Sequence, residues 1–316
     1  MKSDVVSLAR PLRGIVPPMV TPLADRDALD VAGLERLVEH ILAGGVHGLF
    51  ILGTMGEAPS LSHRLRHELV DRVCALVNRR VPVLVGIIDT SFVEALGLAH
   101  KAAAAGADGL VLPAPHYYPA GQPELLEFLR HLVPQLPLPA FLYNLPNYSR
   151  PMFDPETVQI AASEMPGIVG LKDSSANMTY FRHLQFLMAD RADFALLMGP
   201  EMLLAETVLM GGHGGICGGA NLLPRLYVDL YEAAFAGDMP RVQTLHRKVT
   251  ELARTIYRVG RFESSFLKGL KCALSCLGIC SDFLAEPLHR FRGPERDIVQ
   301  RHIADLAITT NGFVSP

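Results

Sequence analysis

Lys172 closes the apolar run Gly167-Ile168-Val169-Gly170-Leu171. An amine held among residues of that kind loses solvation, which disfavours its charged form and favours the neutral nucleophile that attacks carbonyl carbons. Taken alone, a lysine at the end of a strand reads more readily as a side chain reaching back into water. Its companions shift that reading. Tyr143 ends a second apolar run, Ala140-Asn144, and a tyrosine hydroxyl near a cation has its pKa drawn toward the range where it can pass protons. An ordinary core aromatic is the other role open to it. The turn Gly53-Thr54-Met55-Gly56 sets glycines around two backbone N–H groups, an arrangement that can grip a carboxylate. It is equally a tight strand-to-helix turn that needs glycine for positive φ, and the two roles are compatible. A nucleophilic amine, a proton carrier and a carboxylate grip together point to covalent chemistry on a 2-oxo acid.

Other patterns carry less. Gly211-Gly212-His213-Gly214-Gly215-Ile216-Cys217-Gly218-Gly219 would press backbone against a pocket, and barrels often bind phosphate in such a place. No Lys or Arg lies in the stretch to neutralise that charge. His63 and His67 fall in HRLRHE, which lacks the HExxH order of a zinc protease and reads as a charged helix face. Cys272, Cys276 and Cys280 share a helix spacing, but with no other ligand type between them they read as small apolar core residues. No metal and no cofactor are expected. Neither GxGxxG after the first strand nor GxxxxGK[ST] occurs, so the nucleotide-binding folds lose their best support.

The elements that must position these residues repeat a β-α rhythm. Apolar runs fall at Gly14-Val16, Val46-Leu52, Val81-Ile88, Gly109-Leu112, Ala140-Asn144, Ile168-Lys172, Phe194-Met198 and Gly214-Cys217. Between them lie helical segments: Val31-Ala43, His63-Asn78, Phe92-Ala105, Glu124-Leu132, Pro155-Ser163, Met178-Ala189 and Pro200-Met210. Pro155 and Pro200 stand where first-turn prolines belong. Eight strands alternating with helices predict an α/β fold, a (β/α)₈ TIM barrel, rather than an open doubly wound sheet. After about Leu223 the strand signal stops. Pro240-Val259, Glu263-Leu277 and Pro294-Ala307 read as three further helices, giving a catalytic barrel over 1–236 and a C-terminal helical extension over 237–316. That extension is expected to cover a barrel flank or build a subunit contact. In a barrel, polar residues just past the strand ends face one mouth, so Thr54, His116-Tyr117-Tyr118, Tyr143-Asn144, Lys172 and Ser174 should converge there.

Composition agrees with a compact enzyme. Of 316 residues, 49% are hydrophobic and 19% charged, enough for a large core and too little charge for a disordered chain. A net charge of −3 with no separated basic cluster offers nothing to nucleic acid. No stretch of about 18 apolar residues could span a bilayer, and MKSDVVSLARPLRG lacks the apolar core of a secretory signal, so no membrane partner and a cytoplasmic location are expected. An odd count of five cysteines fits free thiols in a reducing compartment.

The motifs, in order, are Gly14 through Thr21-Pro22, the GTMGE turn at Gly53-Glu57, HYYPAGQPEL from His116, YNLP from Tyr143, GLKDSS around Lys172 and GGHGGICGGAN from Gly211. With them the sequence resembles the dihydrodipicolinate synthase and N-acetylneuraminate lyase superfamily, class I aldolases that use pyruvate, from about Gly14 to Ala236. The resemblance implies that Lys172 forms the Schiff base, Tyr143 transfers protons, the amides of Thr54 and Met55 hold the pyruvate carboxylate and the Ile216 carbonyl faces it. Ser174 would also touch substrate. A second tyrosine lent by a neighbouring subunit would complete a relay through Thr54; this is Tyr117, or Tyr118 if the loop shifts. A homo-oligomer, dimer or tetramer, follows.

Two departures bear on the substrate. Met55 stands where the family has a second threonine, so the backbone donor is kept and the hydroxyl lost. Tyr148 stands where dihydrodipicolinate synthases place the arginine that holds the semialdehyde carboxylate, and Arg150 lies two residues too far along. Without that guanidinium, aspartate semialdehyde forfeits a contact of about 1.5–3 kcal/mol. Glu201 matches a sugar-reading position of the sialate lyases, whereas Met202 and Gly218 replace their further glutamate and serine. The expected reaction is cleavage or formation of a C–C bond between pyruvate and an aldehyde, on a 4-hydroxy-2-oxo acid or 2-keto-3-deoxy sugar acid. The alternative is dihydrodipicolinate synthase. A dehydratase of the same class and a silent barrel that senses a 2-oxo acid are further rivals.

Overall fold

A computed structural model describes residues 8–149, 151–309 and 312–313, so Arg150 lies outside the described residues. The eight runs form parallel strands: β1 Gly14–Ile15, β2 Leu49–Ile51, β3 Val83–Gly86, β4 Gly109–Pro113, β5 Ala140–Asn144, β6 Ile168–Asp173, β7 Ala195–Met198 and β8 Gly214–Gly215. Around the sheet the order is β1-β8-β7-β6-β5-β4-β3-β2. The two ends meet where Phe50 N–H donates to Pro17 O at 2.9 Å and Met19 N–H donates to Phe50 O at 2.8 Å. A parallel bridge between Pro18 and Phe50 closes the barrel there.

Alternation along each strand divides the core in two. Phe50, Leu84, Val111, Phe141, Tyr143, Val169, Leu197 and Ile216 fill the barrel interior. Their neighbours Leu49, Ile51, Leu110, Leu142, Ile168 and Leu171 face the helices. Both faces are buried, which is why the strands read as unbroken apolar runs. Several strands are shorter than the sequence predicts. Val46, Leu52 and Ile88 are buried beyond the strand ends, so they carry a strand's apolar signature without its pairing, while Ile87 extends β3 by one bond, its N–H donating to Val111 O at 3.0 Å. At Gly214, φ is +147° and a Cβ would stand 2.0 Å from Gly14 O, so β8 reaches β1 only because the residue has no side chain.

The barrel helices are α1 Val31–Ala43, α2 His63–Val77, α3 Phe92–Ala105, α4 Gln122–Leu132, α5 Pro155–Glu164, α6 Met178–Leu187, α7 Leu204–Leu209 and α8 Pro224–Phe235. Asp30, Ser62, Ser91 and Asn177 cap α1, α2, α3 and α6 by accepting backbone N–H bonds. After Pro200 the chain first makes a tight turn, Glu201–Leu203, and only then enters α7. Helix α8 lies beyond the seven barrel segments that the periodicity predicts. Helices α9 Met239–Arg254, α10 Ser265–Cys276 and α11 Gly293–Asp305 follow. Two short hairpins, Leu23–Asp25 with Ala28–Leu29 and Ile308–Thr309 with Gly312–Phe313, add strands the apolar pattern does not reveal, the second beyond the point where the strand signal stops. Among the described residues, no helix is long and apolar enough to cross a membrane.

The C-terminal helices cover a barrel flank as expected, α9 packing on α8, but they also reach further than that. The end of α9, the turn Ile256–Arg258, the start of α10 and the segment 285–288 stand beside the barrel mouth, where Ala253, Tyr257, Phe266, Leu267, Ala285 and Leu288 line the cavity. One buried face of α10 carries Leu267, Leu270 and Leu274 together with Lys271. That lysine finds its partner in the turn after β2, which draws the helix over the mouth.

Candidate active site

The cavity at the C-terminal ends of the strands encloses about 850 Å³. Thr54, Met55, Tyr143, Tyr148, Lys172, Ser174, Glu201 and Ile216 all line it. Tyr143 of β5 and Lys172 of β6 are partners across the ladder, so their side chains leave the sheet side by side. Lys172 Nζ lies 4.0 Å from the centre of the Tyr143 ring and 5.0 Å from that of Phe50. The lysine is 4% exposed and Tyr143 2%, so an amine and a phenol share an enclosed, largely apolar chamber.

Burial pushes the Tyr143 hydroxyl up, but the Lys172 ammonium and hydrogen bonds with Thr54, Lys172 and Ser174 outweigh it. The net effect holds the hydroxyl below the ordinary tyrosine value. The Thr54 and Tyr143 hydroxyls lie 3.4 Å apart. The turn carrying Thr54 departs from expectation in its backbone. Left-handed φ falls on its flanks, +56° at Leu52 and +57° at Glu57, and not on Gly53 or Gly56. Gly53 is needed for room, since a Cβ there would lie 2.6 Å from the Phe50 ring. Among the described residues, neither Thr54 N–H nor Met55 N–H donates to another backbone group. Both therefore suit a carboxylate.

Glu201 is 7% exposed, and both its oxygens are engaged, Oε1 by the Tyr227 hydroxyl and Oε2 by Gly219 N–H at 2.8 Å. Burial raises its pKa against these donors. The Tyr257 hydroxyl lies near Glu201 and Tyr227 without closing a hydrogen bond of normal geometry. Tyr148 sits at the rim, 60% exposed, beside Glu263. Asn144, behind Tyr143, is clamped between Phe153 backbone and the Tyr180 hydroxyl. Tyr117 and Tyr118 do not join the cavity of their own chain. They are 84% and 78% exposed, stacked edge-on at 5.1 Å, with Tyr117 at φ +84°.

Sequence reasoning missed Lys271, Tyr227 and Tyr257. Each lies in a helix or turn whose pattern marks only a core face, and the polar atom carries no local motif. Of the candidate cysteines, Cys272 and Cys280 are buried and Cys276 is partly exposed.

Imine chemistry is what this barrel mouth is equipped for, and the protein is a class I, Schiff-base lyase of the pyruvate-dependent kind. The chain belongs to the dihydrodipicolinate synthetase family, whose model matches residues 11–306. It is 33% identical over 267 residues, 84% of this chain and 87% of the relative, to a probable 2-dehydro-3-deoxy-D-pentonate aldolase of Escherichia coli. A dihydrodipicolinate synthase from Bacteroides thetaiotaomicron, of known structure, superposes with a TM-score of 0.91 at 54% identity, covering 94% of this chain and 99% of that one. A prophage protein of the same family from Escherichia coli K12, solved in complex with pyruvate, superposes with a TM-score of 0.88 at 28% identity, covering 94% and 99%.

Proposed function

We propose that the protein is an aldolase that cleaves a 2-keto-3-deoxy sugar acid to pyruvate and an uncharged hydroxyaldehyde, through an imine on Lys172. The observation that carries this choice is the absence of a spare cation on the cavity wall: Lys172 is its only Lys or Arg among the described residues, and of its glutamates Glu57 and Glu201 already have both oxygens held, while Glu263 stands beside Tyr148. Lys172 is consumed at C2 and the turn amides at C1. A second carboxylate at the far end of the substrate would then meet Tyr148 and Glu263 without a cation. Hydroxyls would meet Ser174, Asn147, Tyr148 and Ser264, which donate and accept without charge.

In this reading Lys172 attacks the C2 carbonyl, and Tyr143 carries protons through loss of water to the imine. The C4 hydroxyl then gives its proton to Tyr143, the C3–C4 bond breaks, and its electrons flow to the imine nitrogen as an enamine. Protonation of C3 and hydrolysis release pyruvate. Amides of Thr54 and Met55 hold the carboxylate, with the Ile216 carbonyl beside it. Tyr117, held outward on its loop, serves the mouth of a neighbouring copy in a homo-oligomer. Five free thiols support a cytoplasmic setting.

The second reading is condensation of pyruvate with aspartate semialdehyde, favoured by the 54% identity to the Bacteroides thetaiotaomicron protein. Assaying pyruvate release from 2-keto-3-deoxy acids and 4-hydroxy-2-oxoglutarate, and pyruvate consumption with aspartate semialdehyde, separates the two. Faster turnover with the semialdehyde than with any uncharged-tail substrate overturns the first.

A further inference from the structure

The grip on pyruvate is only as well placed as the turn that carries it, and that turn is tied down from a distance. Glu57 ends the turn, with left-handed backbone and its N–H on Thr54 O at 3.1 Å. Its carboxylate is buried and held twice. Lys271 Nζ of α10 donates to Oε1 at 2.7 Å, and Ala285 N–H donates to Oε2 at 2.7 Å. The same Nζ donates to Thr21 O at 2.9 Å, and the Thr21 hydroxyl donates to Gly56 O at 2.7 Å. Lys271, Thr21, Gly56 and Glu57 thus form a closed ring of contacts, with the side chain of Lys271 0% exposed and that of Glu57 3%.

Taking both charges out of water is costly, and a pair of apolar residues would satisfy packing as well or better. What an apolar pair does not supply is direction. A short, charge-assisted bond at each carboxylate oxygen sets where Glu57 stands, and the two residues before Gly56, Thr54 and Met55, line the cavity with N–H groups that donate to no backbone acceptor among the described residues. Resting on the proposed role of those amides, we infer that Lys271 is a positioning residue for the 2-oxo acid carboxylate. Through Glu57 and Thr21 it sets the Thr54 and Met55 N–H groups, and it keeps the Thr54 hydroxyl against Tyr143. The C-terminal helices are in this way part of the pyruvate site.

The test is saturation of borohydride trapping by pyruvate, followed by the mass of the peptide containing Lys172, alongside steady-state kinetics. In E57M/K271M the buried charges leave together, and thermal melting checks that the barrel is retained. Misplaced amides forfeit hydrogen bonds to a charged group, so half-saturating pyruvate should rise about tenfold or more, while the aldehyde KM moves less than about twofold. A folded double variant with unchanged pyruvate saturation overturns the inference. If the double variant does not fold, T21V decides: it cuts the tie to Gly56 without touching a charge, and should raise half-saturation severalfold with the aldehyde KM unchanged. An unchanged value there overturns the inference too. A wild-type protein that is not trapped on Lys172 at all would instead remove the reading on which the inference rests.

Discussion

At the scale of single residues, one interaction governs the site: an amine 4.0 Å from the face of a phenol in a closed chamber. Lys172→Ala should abolish both turnover and borohydride trapping while leaving the melting temperature close to wild type, because a strand end tolerates the smaller side chain. Trapping that persists elsewhere on the chain sinks the assignment. The same substitution removes the ammonium that holds the Tyr143 hydroxyl down, so the tyrosine should titrate at higher pH in the variant, as read from tyrosinate absorbance. Tyr143→Phe should lower kcat by about 10²–10⁴, the usual reach of acid–base catalysis. In the proposed mechanism the protonated hydroxyl is what gives a proton to the departing water. The alkaline limb of the wild-type rate should accordingly fall below the ordinary tyrosine pKa, and the residual activity of Tyr143→Phe should lack that limb. A variant keeping the same alkaline limb would show that another group titrates.

At the scale of elements, the two ends of the barrel carry different duties. The C-terminal ends hold polar groups turned to the cavity, whereas the N-terminal ends use neutral histidines to complete strand pairing. His213 Nδ1 accepts from Leu196 N–H at 3.0 Å, and His47 Nδ1 accepts from Ile15 N–H at 3.1 Å. Burial depresses both, with Arg13 adding to the effect on His213, which falls to about 4. Between the ordinary value of 6.5 and about 4 the unfolded chain therefore binds a proton at His213 that the folded chain does not. Stability from this site is complete above pH 6.5 and is lost as pH falls toward 4. His213→Asn, which keeps an acceptor for Leu196 N–H but cannot gain the charge, should flatten the fall in melting temperature across that window. Parallel curves for the two proteins would show that the acid sensitivity arises elsewhere. The mouth-facing polar residues could be picked out from the sequence because they interrupt apolar runs at their ends. These histidines could not, since an imidazole before a strand has the same local signature whether it pairs or points to water.

For the molecule as a whole, the exposed Tyr117 is the feature a single chain leaves without a task. Its ring is 84% exposed and its backbone holds φ +84°, a conformation that costs about 1–3 kcal/mol in a non-glycine residue. If each mouth is completed by the neighbour's tyrosine, Tyr143→Phe and Tyr117→Phe subunits should rescue one another. Mixed oligomers contain mouths with an intact Tyr143 from one chain and an intact Tyr117 from the other. Unfolding and refolding the two variants together should give activity well above either alone. No gain, in a mixture that sedimentation shows to be co-assembled, would separate Tyr117 from the relay. The Tyr117→Phe/Tyr143→Phe double variant should be little worse than the poorer single one, because both break one path.

Local pattern was enough to determine the eight strands, the barrel they close and the positions of Lys172, Tyr143 and the Gly53–Gly56 turn at its mouth. Periodicity and chemistry coincide there: each strand buries both faces, so a polar residue at its end either turns to the mouth, as Lys172 does, or takes a buried partner, as Asn144 does on Phe153. Tertiary structure alone decided that α10 reaches back across 214 positions to place Lys271 on Glu57, and that Tyr227 takes an oxygen of Glu201. A buried charge on a helix looks, in sequence, like any solvated lysine. Its partner is chosen by packing between distant elements, and that choice carries no signature in the residues on either side of it.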